Sequence, residues 1–117
     1  MADLINAKFF YKFDIIFLKI KIYYENRDLV NLENIILLLK NNLRTEVIFN
    51  KAEEEKYEYL IYCLNLLVKA HRIYEKTQNV FDFEYLLKKI ESRQSFALRI
   101  WLREKVKEFI AEHKRKG

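Results

Sequence analysis

Apolar residues recur at intervals of three and four along almost the whole chain, and that spacing predicts helices. From Leu4 to about Glu25 the chain is dense in Phe, Ile, Leu and Tyr, with Lys8, Lys12 and Lys19 near one line. One long, mostly buried helix is expected there. The stretch "FLKIKIYY" also alternates with period two, so a strand over Phe17 to Tyr24 is the local alternative. The connection "ENRD" offers Asp28 as an N-cap, with Asn31 a second candidate. After it, Leu32, Ile35, Ile36, Leu39 and Leu43 share one helical face. In "NKAEEE", Asn50 and Glu53 stand at the spacing of a capping-box variant, and the acidic run suits the positive end of a helix dipole. The third helix should run from about Asn50 to Lys76 and bury Leu60, Leu64, Leu67 and Tyr74, with Cys63 and Ala70 beside them. A short fourth helix, "DFEYLLKKI", has Asp82 as its cap and Phe83, Leu86, Leu87 and Ile90 facing in. Ser92 or Ser95 then caps a last helix over about 93–115, with Leu98, Trp101, Leu102, Val106 and Phe109 on the buried arc.

No repeat, low-complexity tract or linker interrupts this series. The expectation is one domain over 1–117, an all-α, compact bundle of four to five helices with short connections. Composition narrows the choice further. The only Gly is Gly117 and there is no Pro, so no internal residue takes positive φ cheaply and none stops a helix sterically. Tight hairpins and glycine-rich phosphate loops are disfavoured. With 51% hydrophobic residues the chain has the material for a core. Cys63 is the sole cysteine, which excludes an intramolecular disulfide and favours an intracellular, cytoplasmic setting. Lys12, Asp14, Lys19 and Lys21 break up the apolar N-terminal stretch, so neither a signal peptide nor a membrane span is expected.

Charge is unevenly placed. Residues 1–50 hold seven Lys and Arg against six Asp and Glu, residues 51–91 seven against eight, and residues 92–117 eight against three. The whole excess of +5 therefore lies in the last helix and its tail. On a helical wheel Arg99, Arg103, Lys107 and Lys114 form a basic stripe, continued by Arg115 and Lys116, while Glu104, Glu108 and Glu112 form an acidic line. Such a stripe fits phosphate contacts of weak sequence specificity, as in a nucleic-acid-binding bundle. It equally fits a helix end whose cations complement the dipole and stay solvated. Within this helix "FALRIWLREKV", Phe96 to Val106, resembles the Arg-rich helix in the α-helical domain of GINS replication-complex subunits, and "FFYKF" resembles an early motif of that domain. The β-rich domain that accompanies it in that family has no counterpart among the predicted elements, and the chain is not assigned to it.

Chemistry-bearing residues are sparse. His71 and His113 fall in no metal-ligand spacing, and neither follows an Arg at the interval of the helical HEPN nucleases. His71 borders the apolar face of its helix. Cys63 has no cation on its own helical face to lower its pKa and no base beside it, so an inert core thiol is expected. Glu53, Glu54 and Glu55 point in different directions and do not make a metal cluster. No catalytic residue, metal, cofactor or small-molecule substrate is expected, and the protein is read as non-enzymatic. Aromatic residues make up 15% of the chain, and its tyrosines spread too widely around their helices to face one core. Tyr serves interfaces well because it joins area to a polar tip. The sequence thus points to protein–protein interaction or self-assembly, as a homo-oligomer or with a protein partner, through Tyr23, Tyr24, Tyr57, Tyr62 and Trp101. The nucleic-acid-binding bundle is the alternative.

Overall fold

A computed structural model describes residues 2–45 and 50–114, with side chains from residue 12 onward. Among the described residues there are five helices and no strand: α1 (Ala2–Glu25), α2 (Leu29–Thr45), α3 (Lys51–Thr77), α4 (Phe81–Glu91) and α5 (Arg99–Lys114). The fold is all-α. The strand alternative over Phe17 to Tyr24 is overturned, because burial there follows three-and-four spacing, through Ile20 and Tyr24, instead of period two. A helix pairs its own backbone groups, whereas a lone strand would leave them needing a neighbour. The helices fall into two compact units, Met1–Glu46 and Val47–Gly117.

The first unit is a helical hairpin. From α1 it buries Phe13, Ile16, Ile20 and Tyr24, and from α2 the five residues that the spacing predicts, Leu32, Ile35, Ile36, Leu39 and Leu43. Full burial of each such side chain contributes about 1.5–3 kcal/mol. The turn between the helices is a Schellman motif: the Asp28 amide donates to the Tyr23 carbonyl (2.9 Å) and the Arg27 amide to the Tyr24 carbonyl (2.9 Å). Arg27 holds the left-handed position that usually goes to Gly, at φ 54°. Its guanidinium compensates by lying 4.3 Å from the centre of the Tyr24 ring and donating to the Tyr24 carbonyl at 2.7 Å. Asp28 then caps α2, accepting from the Asn31 amide at 3.2 Å and from its side-chain NH₂ at 2.6 Å.

In the second unit α4 packs against both α3 and α5. Its core joins Leu60, Leu64 and Leu67 of α3 to Phe83, Leu86 and Ile90 of α4 and Leu102, Val106 and Phe109 of α5. Tyr74, Leu87, Leu98 and Trp101, expected inside, are half-buried at its margin. Asn50 caps α3 as predicted, its Oδ1 accepting from the Glu53 amide at 2.9 Å, although the return contact runs from Asn50 Nδ2 to Glu53 Oε1 at 3.5 Å. At the far end Gln78 turns left-handed, φ 59°, and its amide donates to the Tyr74 carbonyl at 2.8 Å.

Two predicted caps are corrected. Asp82 does not cap α4: it lies inside the first turn, and Asn79 Oδ1 accepts from the Phe81 amide at 2.8 Å instead. Neither Ser92 nor Ser95 caps α5, which starts at Arg99 and not near residue 93. Ser92 closes α4, with its hydroxyl donating to the Lys89 carbonyl at 2.7 Å. The chain then turns at Leu98, φ 60°, whose carbonyl accepts from Leu102 at 2.9 Å. The stretch that resembles an Arg-rich helix is consequently broken, with Phe96 to Leu98 outside α5.

Gln78 is exposed and bears the left-handed strain with little side-chain compensation, its amide reaching Tyr74 only at 3.4 Å. Gln78→Gly should stabilise the protein by about 0.5–1 kcal/mol, seen as a higher denaturant midpoint at unchanged slope. Asn50→Ala should cost about 1 kcal/mol in the same assay.

Candidate functional site

The predicted interface residues divide between the two units, Tyr23 and Tyr24 in the first and Tyr57, Tyr62 and Trp101 in the second. Tyr24 is a correction: it has no exposed surface and belongs to the hairpin core, where the spacing of Phe13, Ile16 and Ile20 carries it. Tyr23, Tyr57 and Trp101 are half-buried, and Tyr62 is 43% exposed. Only Tyr62 joins a larger polar constellation, and its neighbours there escaped the sequence reading.

That constellation is a cleft of about 340 Å³ lined by Glu55, Glu58, Tyr59, Tyr62 and Arg93. α3 supplies the first four, one turn apart, and the segment after α4 supplies Arg93. The Arg93 guanidinium stacks 4.5 Å from the Tyr59 ring centre, and the Phe96 ring meets the same ring edge-on at 5.1 Å. The Tyr59 hydroxyl donates to the Lys89 carbonyl and so ties α3 to the end of α4. On the next turn Tyr62 hydrogen-bonds Tyr85, which raises the Tyr62 pKa, with slight desolvation adding to it. Lys89 is raised as well, first by its hydrogen bond to Tyr85, and its ammonium lies 5.2 Å from that ring. The Tyr59 and Tyr85 faces are thus already served by this chain's own cations.

Cys63 is fully buried in α3. No cation is expected on its own helical face, and the two that act on it come from elsewhere: Arg93 and Lys89, brought from the α4 end, both pull its pKa down. Burial wins, and the thiol is pushed up to about 12. The expected inertness follows from desolvation prevailing over these two charges.

The two histidines belong to a ring column at the other end of the second unit. Phe83, Phe109 and His113 stack at 4.1 Å and 3.9 Å, while His71 and Tyr74 meet Phe109 edge-on at 4.7 Å and 5.1 Å. His71 is buried, as a core residue between Phe83 and Phe109. His113 Nδ1 lies 2.9 Å from the Phe109 carbonyl, which can only accept, so that nitrogen carries a proton. No group of three or more His, Cys, Asp or Glu is placed to hold a metal ion among the described residues.

The basic stripe is partly engaged within the protein. Arg99 Nε donates to the Arg93 carbonyl at 2.7 Å, closing the loop before α5, and Lys114 pairs with Glu84 of α4 at 3.6 Å. Arg103 is half-buried and Lys107 exposed. Arg115 and Lys116 lie outside the described residues.

The expectation that the first helix is mostly buried is corrected, because α1 also carries an exposed apolar row. On α1, Ile15, Leu18 and Ile22 are 37%, 58% and 47% exposed. At 100° per residue they occupy an arc of about 60° on the side opposite Phe13, Ile16, Ile20 and Tyr24. α2 repeats the arrangement with exposed Val30 and Leu37 opposite its buried row. The signal was available in the sequence, since a helix apolar on two opposite sides has more to cover than one core can take. No described helix is long and apolar enough to cross a membrane, so that composition does not make α1 a membrane span. Comparison with family models, with curated proteins and with solved structures finds no match to this chain.

With its pKa raised from 9.0 to about 12, Cys63 favours the protonated folded state. Its contribution to stability is complete below pH 9.0 and is lost as the pH rises towards about 12. At pH 8 a disulfide reagent should leave the native thiol untouched and titrate it fully in denaturant. Rapid labelling of native protein would show that Cys63 is reached without unfolding.

Proposed function

We propose that the protein acts without catalysis, by associating through its helical surfaces, foremost with a second copy of itself. The observation that carries this reading is the doubly apolar α1, whose row of Ile15, Leu18 and Ile22 stays in water beside a complete buried row. Exposed single apolar residues are ordinary, but a row at helical spacing on the outside of a hairpin is the arrangement of a helix–helix contact. Tyr62, Tyr85 and the exposed Ile100 add apolar surface on the second unit. The nucleic-acid reading draws less support, because Arg99 and Lys114 already have partners in this chain.

Light scattering on a sizing column, repeated over a wide concentration range, tests the reading. The expected result is a mass that climbs from the 14.4 kDa of one chain towards a multiple of it. A single-chain mass at every concentration would remove self-association. A salt-sensitive shift onto a mixed-sequence duplex at single-chain mass would return the function to the basic stripe.

A further inference from the structure

We infer that the outer row of α1 is the seam of a parallel, two-stranded coiled coil formed with α1 of a second copy; this rests on the self-association reading and names its surface and geometry. The spacing fixes the register. Ile15 to Leu18 is a step of three and Leu18 to Ile22 a step of four, so Ile15 and Ile22 take position a of the heptad and Leu18 takes position d. A β-branched residue at a with Leu at d is the combination that packs well in a parallel dimer.

The charges beside the row agree with that orientation. Asp14 falls at position g and Lys19 at position e, and both are exposed. In a parallel pair, g of one helix faces the following e of its partner, so Asp14 of each copy meets Lys19 of the other, twice over by symmetry. An antiparallel pair in the same register sets e against e, which brings Lys12 of one copy to Lys19 of the other. That arrangement places like charges together while Asp14 faces Lys21. The parallel arrangement has no such conflict among Asp14, Lys19 and Lys21, because Lys21 then faces the neutral Asn26. The buried row of α1 is untouched by this contact, since it lies on the opposite side of the helix.

Among the described residues the seam has three layers, so the dimer is weak and its mass depends on concentration. Sedimentation equilibrium on the full chain and on four variants tests it, with circular dichroism run alongside. Leu18→Glu places a charge at the central layer, at a position already 58% exposed, and should give the single-chain mass with helicity kept. Asp14→Lys and Lys19→Asp should each weaken the dimer by about tenfold, through two like-charge pairs. The double variant, Asp14→Lys with Lys19→Asp, should restore it. A dimer that Lys19→Asp tightens instead of weakening overturns the parallel pairing, because the antiparallel one sets Lys19 against Lys12 and the change relieves that like-charge pair. A dimer indifferent to Leu18→Glu and to Asp14→Lys overturns the seam and leaves self-association standing on another surface. A parent chain that stays single at every concentration overturns both.

Discussion

Helices in this chain have to be ended by side chains, because no internal Gly or Pro is present to end them. At three places among the described residues the backbone takes the left-handed conformation on a residue with a Cβ, namely Arg27, Gln78 and Leu98. Each such residue carries a steric penalty of about 1–2 kcal/mol. The hairpin turn meets it best, since Arg27 lies against the Tyr24 ring and bonds its carbonyl, while Asp28 immediately starts α2. Remove the turn and neither buried row of the first unit has its partner. The same logic governs the second unit, where Asn50, Asn79 and Ser92 satisfy backbone groups at helix ends.

Within the second unit, aromatic side chains do two different jobs. Where they are buried they form a column, with Phe83, Phe109 and His113 stacked and His71 and Tyr74 set edge-on around them. These rings hold all three helices of the unit in one packing arrangement, because α3, α4 and α5 each contribute to the column. Where they reach the surface they are paired with cations, Tyr59 with Arg93 and Tyr85 with Lys89. The α3 to α4 connection is fastened there by the Tyr59 hydroxyl on the Lys89 carbonyl. Both histidines are accounted for by packing, and Cys63 is held protonated by burial despite two nearby cations.

The proposed function comes from an imbalance between apolar surface and core. α1 and α2 have more apolar residues than one face can bury, and the excess lies on the far side of each helix. In the proposed self-association, matching side chains and opposite flanking charges of a second copy cover the α1 row. The basic stripe of α5 looks different once it is placed in space. Two of its cations, Arg99 and Lys114, hold the protein's own loop and helix, and of the other described members Lys107 is exposed and Arg103 half-buried.

By itself the sequence determined the helix class and most of the core, because three-and-four spacing is a local property that survives in any arrangement of the helices. All five predicted residues of α2 are buried, and the Asp28 and Asn50 caps stand where short-range hydrogen bonding puts them. Tertiary structure decided what depends on residues distant in the chain. Arg93 and Lys89 reach Cys63 only because α4 returns along α3, and Tyr24 is drawn into the hairpin core although its side chain suits a surface equally well. The start of α5 also lay beyond local reading. Ser92 and Ser95 are good caps in isolation, but Ser92 was taken by the end of α4 and Phe96 by the core, so the helix could begin only after the turn at Leu98.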